Sequence, residues 1–274
     1  MPRRADLFHG LNQRLPTIRP RRTVTTFHDL FVLTGDYSTP EFRRRFAEQA
    51  RRAAAESDRI VAVSEFTATQ VQQLLGVDRS RLRVVHHGVR IPPPSRAVRE
   101  KIILHVGAIQ ARKNVARLIQ AFETVPPDWR LVLAGSAGFG ADAILRAIAA
   151  SPARDRISVL GYVTAEALAG WYARSGVLAF PSLDEGFGIP ILEAMAAGLP
   201  VLTSSRSALA EVAGDAAVLV NPESVEELAE ALSRMISDEK LRADLKQKGL
   251  ARAAVYTWPK AVESTWNVYR ELLD

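Results

Sequence analysis

The sequence predicts an α/β protein built from two parallel sheets that are wound with helices. Two patterns support this prediction. Apolar runs of strand length alternate with helical stretches, and a proline triplet at 92–94 interrupts the alternation once. Four strands are predicted before the triplet and six after it, so the first domain looks incomplete and the second complete. We expect a partial N-terminal domain at 1–91, a second domain at 95–258 and a closing helix at 259–274.

In the first domain, short β-branched or apolar runs predict strands at 6–9, 23–27, 59–63 and 82–85. Residues 40–56 are rich in Arg, Ala and Glu, and Phe42 and Phe46 are four positions apart, which is typical of one helix face. Ser64 is placed to cap a further helix, which Gly76 closes.

In the second domain, strands are predicted at 102–106, 131–134, 157–160, 177–180, 201–203 and 217–220. Helices are predicted at 114–123, 141–150, 223–237 and 239–256. Three more are predicted: a Leu-rich helix that begins three residues after Thr164 and ends near Arg174, one that Gly198 stops, and a last one opened by Pro259. The Asn114 side chain is expected to cap the first of these helices, and Pro190 and Pro259 suit the first turn of two others.

The composition excludes several classes of protein. Hydrophobic residues make up 47% and charged residues 24% of the chain, which indicates a packed fold rather than disorder. No apolar run approaches the roughly 18–20 residues of a membrane span, and no signal-peptide core is found. Cysteine is absent, which excludes disulfides, thiolate nucleophiles and Cys-bound metals. We therefore expect a cytoplasmic protein.

The basic charge is concentrated in the first third of the chain. Residues 1–99 contain 18 Arg, no Lys and 9 acidic residues. Such asymmetry indicates either an anionic partner, such as nucleic acid, an acidic membrane or a phosphate-bearing substrate, or solvated arginines on helix surfaces. Because the interleaved aromatic residues that bind single strands are missing, we expect no nucleic-acid partner.

The densest chemical signal spans 180–193, with the sequence Phe-Pro-Ser-Leu-Asp-Glu-Gly-Phe-Gly-Ile-Pro-Ile-Leu-Glu. Gly186 and Gly188 precede a predicted helix, where they allow a ligand close to the backbone and its free N–H groups. Glu185 and Glu193 flank this anion site, and a carboxylate accepts two hydrogen bonds from a vicinal diol. Phosphate and hydroxyl groups occur together in sugar nucleotides.

The segment 185–193 resembles the Glu-x7-Glu signature of the retaining glycosyltransferases of family four, which have the GT-B fold with two Rossmann-like domains. Further motifs stand in that family's order and spacing at 27–29, 63–67, 84–88, 107, 112–114, 161–163 and 221–222. The resemblance also implies that the closing helix crosses back to the N-terminal domain.

The resemblance implies roles for single residues. Glu193 matches the ligand of the nucleotide ribose, and Glu185 and His28 match contacts to the transferred sugar. Arg112 and Lys113 match cations on the diphosphate, where they would offset leaving-group charge. Further donor contacts, largely through the backbone, are implied for Gly107, Tyr162, Val163, Gly186, Phe187, Gly188 and Ile189. No metal and no cofactor are implied, and the sequence has no Asp-x-Asp pair.

Without the resemblance, the same residues have simpler interpretations. Glu185 and Glu193 are compatible with solvated carboxylates at a helix start, where negative charge is favourable. Arg112 and Lys113 are compatible with a surface turn, and His28 with a core histidine.

The implied function is the transfer of a hexose from GDP- or UDP-hexose to a saccharide or lipid-linked acceptor, with peripheral contact to the inner face of an anionic membrane. The alternative is a non-catalytic or truncated nucleotide-binding paralogue that acts as a partner subunit. Family members carry roughly 80–90 residues ahead of the first strand found here. A start site inside the gene, a fragment boundary and a real loss each explain this, and we expect weak transfer by this short chain.

Overall fold

A computed structural model describes residues 6–17, 20–93 and 97–274. Pro94, the last residue of the proline triplet, lies outside the described residues. The strands are β1 (Leu7–Gly10), β2 (Arg22–Phe27), β3 (Arg59–Ala62), β4 (Leu82–Val84), β5 (Ile102–Val106), β6 (Arg130–Ala134), β7 (Ile157–Gly161), β8 (Val177–Phe180), β9 (Val201–Ser204) and β10 (Ala217–Val220).

The helices alternate with these strands along most of the chain. They are α1 (Phe31–Thr34), α2 (Pro40–Glu56), α3 (Glu65–Leu75), α4 (Val115–Phe122), α5 (Ala141–Ala150), α6 (Ala165–Arg174), α7 (Ile189–Ala196), α8 (Ser207–Ala213), α9 (Val225–Ser237), α10 (Glu239–Val255) and α11 (Trp258–Leu273). Among the described residues, no helix combines the length and apolar character needed to cross a bilayer.

The chain forms two compact units. Unit 1 comprises Met1–Gly88, Glu185–Phe187 and Tyr256–Asp274, and unit 2 comprises Val89–Asp184 and Gly188–Val255. The short segment Glu185–Phe187 therefore packs with unit 1, although it lies within the signature that the sequence places in the second domain.

Unit 1 contains a parallel sheet in the order β1-β2-β3-β4. One set of buried side chains, which includes Phe27, Phe46 and Ile60, joins the sheet to α2. A second set joins the sheet to α11, where Ala261 and Val268 pack with residues such as Val24, Val61 and Val85. The sheet of unit 1 is thus covered by helices on both faces.

Unit 2 contains a parallel sheet in the order β10-β9-β8-β5-β6-β7. From the adjacent pair β5 and β8, the chain adds strands outward in both directions, so the winding reverses between these two strands. Ligands of doubly wound sheets bind outside the carboxyl ends of strands at such a reversal. The segments that follow β5 and β8 are therefore the candidate site segments of this unit.

Asn114 occupies the N-cap position of α4, as the sequence predicts, but its side chain does not form the cap. The residue precedes α4, but its φ is 59° and its side chain makes no capping hydrogen bond to that helix. Instead, its amide group donates to the carbonyl oxygens of Pro181 and Pro222 at 3.1 and 2.6 Å. Asn adopts the left-handed region more readily than most residues, and in this conformation its side chain connects the loop after β8 to the segment after β10.

Many arginines bond the carbonyl groups at helix ends. The Arg99 guanidinium donates to the carbonyls of Tyr172 and Ser175 at the end of α6 and of Ala197 at the end of α7. Arg252 bonds two carbonyls near the end of α8, and Arg242 bonds two near the end of α9. Since the last carbonyls of a helix lack intrahelical donors, these contacts satisfy acceptors and place positive charge at the negative helix ends.

Candidate functional site

The loop after β8 leads into α7 at Gly188, a position where the backbone conformation and the surrounding packing favour glycine. Gly188 has a φ of 103°, and a Cβ atom built on it would lie 2.6 Å from Cδ2 of Leu209. Pro190 occupies the first turn of α7, as the sequence predicts. Pro190 has no N–H group, and the Ile191 N–H bonds the Gly188 carbonyl at 3.1 Å, so the N–H groups of Gly188 and Ile189 are the donors that this helix start offers to an anion.

Within unit 1, Gly186 is held by two hydroxyl groups. The side chains of Ser64 and Thr67 donate to its carbonyl oxygen at 2.7 and 3.0 Å, and both are buried. A Cβ atom on Gly186 would lie only 1.7 Å from the carbonyl oxygen of His28. The backbone at this position therefore requires glycine, and the neighbouring Glu185 is buried, at 8% exposed, rather than a solvated carboxylate.

Phe187 is buried in an aromatic cluster of unit 1. Its ring centroid lies 5.1 Å from that of His87, 5.9 Å from that of His86 and 5.8 Å from that of Tyr256. The contacts with His87 and Tyr256 are edge-to-face, which is an energetically favourable arrangement for aromatic pairs. Phe187 is therefore an anchor of the Glu185–Phe187 segment, which is a role the sequence did not indicate.

His28 is exposed rather than a core histidine, and both of its ring nitrogens have partners. Nε2 lies 2.8 Å from the carbonyl oxygen of Leu11, so Nε2 is the donor, and Nδ1 lies 3.2 Å from Nε2 of His87. The two imidazole rings are stacked with centroids 5.2 Å apart. Burial, together with the charges of His28 and His86, lowers the pKa of His87 to about 4, so His87 is neutral near pH 7 and can donate to His28.

In unit 2, Arg112 and Lys113 lie on a 3₁₀ turn, Ala111–Lys113, after β5. Both are buried, at 7% and 8% exposed, which differs from the exposure of a surface turn. The Arg112 side chain donates to the carbonyl of Asp184, and the Arg112 carbonyl accepts from the Leu183 amide at 2.8 Å. The turn after β5 and the loop after β8 therefore each donate one hydrogen bond to the other.

The Lys113 ammonium lies 4.7 Å from the centre of the Phe180 ring, within the range of a cation–π contact. Its stem passes over Gly107, where φ is 143° and a Cβ atom would lie 3.2 Å from Cε of Lys113. Gly107 thus leaves room for the lysine. Two cationic side chains are buried at the carboxyl ends of β5 and β8, next to the buried carboxylate-bearing residue Asp184.

Glu193 lies on α7 and is half-buried. Burial raises the pKa of its carboxyl group, and a hydrogen bond from the hydroxyl of Tyr172, 2.9 Å from Oε2, acts in the opposite direction. Tyr172 lies on α6, 21 positions earlier, and no spacing rule in the sequence connects the two residues. The contact of Tyr172 with Glu193 is therefore not among the features predicted from the sequence.

The remaining predicted donor contacts are more accessible. Tyr162 is 80% exposed, Val163 is half-buried, and both follow β7 directly. Ile189, the first residue of α7, is 37% exposed. Within the described ranges, no group of three His, Asp or Glu side chains is arranged to hold a metal ion.

Comparison with known proteins identifies the family. A family model described as "Glycosyl transferases group 1" matches residues 91–252, and one described as "Glycosyltransferase Family 4" matches residues 3–91. The chain belongs to the family 4 glycosyltransferases. This result confirms both the resemblance found in the sequence and the predicted transferase class.

Two relatives of this glycosyltransferase illustrate its similarity. The O-antigen chain mannosyltransferase B of Escherichia coli is 31% identical over 97% of this chain and 74% of its own length. A D-inositol 3-phosphate glycosyltransferase of Xylanimonas cellulosilytica is 31% identical over 94% of this chain and 66% of its own length. The chain thus spans about three quarters and two thirds of these proteins.

The fold is shared with solved GT-B structures. Sucrose-phosphate synthase from Thermosynechococcus elongatus superimposes with a TM-score of 0.80 at 23% sequence identity, over 92% of this chain and 68% of that one. This similarity confirms the predicted α/β fold class of the GT-B type.

We expect Gly186→Ala to destabilise the protein by about 1–3 kcal/mol, because the new methyl group overlaps the His28 carbonyl and displaces the Gly186 carbonyl from the Ser64 and Thr67 hydroxyls. Urea unfolding of the full chain measures this change. Gly170→Ala is the matched control, since a Cβ atom there meets nothing within 4 Å, and helical alanine should stabilise α6 by up to about 1 kcal/mol. Equal unfolding free energies of the two variants would contradict the assigned packing.

Proposed function

We propose that the chain transfers a hexose from a nucleotide-diphosphate sugar to a saccharide or lipid-linked acceptor, with retention of the anomeric configuration. The observation that carries this proposal is the buried cationic pair, Arg112 and Lys113, at the winding reversal of the unit 2 sheet. Buried cations of this kind suit a ligand with concentrated negative charge, and family membership identifies that ligand as a sugar nucleotide.

The diphosphate is the leaving group of such a donor, so negative charge builds up on it as the glycosidic bond breaks. Arg112 and Lys113 would stabilise this charge. Because both side chains are buried, where the effective dielectric constant is lower than in water, their effect would be stronger than that of exposed cations. The N–H groups of Gly188 and Ile189 at the start of α7 provide further donors that need no reorganisation.

The nucleotide end of the donor would be bound by the carboxylate of Glu193 and by backbone groups near Tyr162 and Val163. Glu193 would accept hydrogen bonds from the ribose diol, and the exposed segment after β7 would contact the base. Glu185 and His28 are proposed to contact the transferred sugar, as the resemblance implies.

The proposed reaction requires no side-chain nucleophile. The acceptor oxygen forms a bond to the anomeric carbon on the face that the leaving phosphate vacates. The bond from that carbon to the phosphate oxygen breaks, and the acceptor proton passes to the departing phosphate. The protein supplies positioning and charge stabilisation, which account for large parts of enzymatic rate enhancements.

The alternative, a nucleotide-binding partner subunit without its own transfer activity, predicts the same nucleotide affinity. Release of nucleotide diphosphate from the donor distinguishes the two functions, because only a transferase cleaves the glycosidic bond. The first donor for this assay is a nucleotide-diphosphate mannose, because the E. coli relative is named a mannosyltransferase, and UDP-hexoses are tested second.

We expect Glu193→Ala to weaken nucleotide-diphosphate binding roughly ten- to a hundredfold, because a charge-assisted hydrogen bond to the ribose is lost. Calorimetry with UDP and GDP measures the effect, and Lys113→Met should reduce affinity through the diphosphate. Glu166→Ala, an exposed carboxylate in the first turn of α6, is the control and should bind nucleotide normally. Wild-type affinity of the Glu193 variant for both nucleotides would contradict the site assignment.

We further propose that unit 1 contacts anionic membranes, where a lipid-linked acceptor would be found. The supporting observation is the exposed part of α2, which carries Arg44, Arg45 and Arg51 together with Glu41 and Glu48. The Arg45 guanidinium lies 5.6 Å from the Phe42 ring centre. Clustered arginines next to an exposed aromatic ring are typical of helices that lie on acidic lipid surfaces.

Sedimentation with vesicles tests the membrane contact. At low salt the protein should bind vesicles that contain anionic lipid, and reversal of Arg44, Arg45 and Arg51 to Glu should weaken binding strongly, since each basic residue contributes about 1 kcal/mol. The same charge change in unit 2, at the exposed residues Arg146, Arg234 and Lys240, is the control. Equal binding to neutral vesicles, or equal losses in both variants, would exclude the role of α2.

A further inference from the structure

Tyr172 is almost completely buried, at 4% exposed, and its hydroxyl donates to Oε2 of Glu193. Its position is fixed from the backbone side as well. The Arg99 guanidinium bonds the carbonyls of Tyr172 and Ser175 at the end of α6 and the carbonyl of Ala197 just after α7. One arginine therefore connects the ends of the two helices that carry the phenol and the carboxylate.

The phenol can only donate in this contact. Burial and the neighbouring carboxylate of Glu193 raise the pKa of Tyr172 well above its usual value, so the hydroxyl keeps its proton. A carboxylate has two oxygens, and the phenol occupies Oε2. The other oxygen, Oε1, remains available for a second hydrogen bond while the side chain is held in one orientation.

The hydrogen bond also affects the charge of Glu193. Burial raises the pKa of this carboxyl group, and the Tyr172 hydroxyl lowers it again by stabilising the carboxylate. Two charged side chains lie just after the end of α7, about one turn from Glu193: Arg99, which bonds the Ala197 carbonyl, and Lys246, whose Cε lies 3.3 Å from a Cβ atom built on Gly198. Among the described residues, neither side chain forms an ion pair with the Glu193 carboxyl group, whose side-chain partner is the Tyr172 phenol.

We propose that Tyr172 is a positioning residue for nucleotide binding: its hydroxyl orients the Glu193 carboxylate so that the second oxygen accepts from the ribose diol. The inference rests on the proposed function, in which Glu193 is the ribose ligand. Tyr172 itself does not touch the nucleotide in this role and acts through Glu193.

Calorimetry with UDP and GDP between pH 5 and 8 tests the proposal on the full chain. Tyr172→Phe should weaken binding about three- to tenfold at pH 7.5, since an oriented hydrogen bond to a charged group is lost. The deficit should grow as the pH falls, because without its donor the Glu193 carboxyl group has a higher pKa and becomes protonated sooner. Tyr269→Phe, which removes a hydroxyl that bonds Nδ1 of His9 at 2.6 Å in unit 1, is the matched control and should show neither effect.

A double-mutant cycle separates positioning from a structural role. In a Glu193→Gln background, Tyr172→Phe should cause little further loss of affinity. An equal loss in both backgrounds, or a loss that does not depend on pH, would overturn the inference. Wild-type binding by Tyr172→Phe together with weak binding by Glu193→Gln would also overturn it and leave the proposed function standing. Wild-type binding by Glu193→Gln would instead contradict the proposed function.

Discussion

Gly186 and Gly188 occupy positions where a side chain does not fit, and the path of the loop between β8 and α7 depends on this constraint. Gly186 lies against the His28 carbonyl, and Gly188 has a left-handed conformation next to Leu209. Because these two residues lack Cβ atoms, the loop after β8 can be short and buried and can still start α7 one residue later.

The surrounding structure of unit 2 reinforces the same loop. Asn114 bonds the carbonyl of Pro181, and Arg112 bonds that of Asp184, so the start and the end of the segment 181–184 are both held by residues that follow β5. Arg112 thus combines a structural contact with its proposed role as a phosphate ligand. A guanidinium group can do both because it carries five N–H donors in a rigid plane.

Much of this organisation could be predicted from the sequence, because strand and helix periodicity, glycines and prolines are local signals. Other features depend on residues far apart in the chain. The left-handed conformation of Asn114 follows from partners after β8 and β10, and the contact between Tyr172 and Glu193 joins two helices with a strand between them. The basic composition also had an unexpected use, since arginines such as Arg99 and Arg252 bond helix-end carbonyls instead of remaining solvated.

The configuration of the released sugar is the most direct test of the proposed transfer with retention from a nucleotide-diphosphate sugar. When water takes the place of the acceptor, the same reaction releases the free sugar. Proton NMR at early times, before mutarotation, identifies the anomer released from an α-configured donor alongside the nucleotide diphosphate. If the reaction proceeds with retention, the α anomer appears first. Initial release of the β anomer, or no release from any GDP- or UDP-hexose, would contradict the proposed transfer.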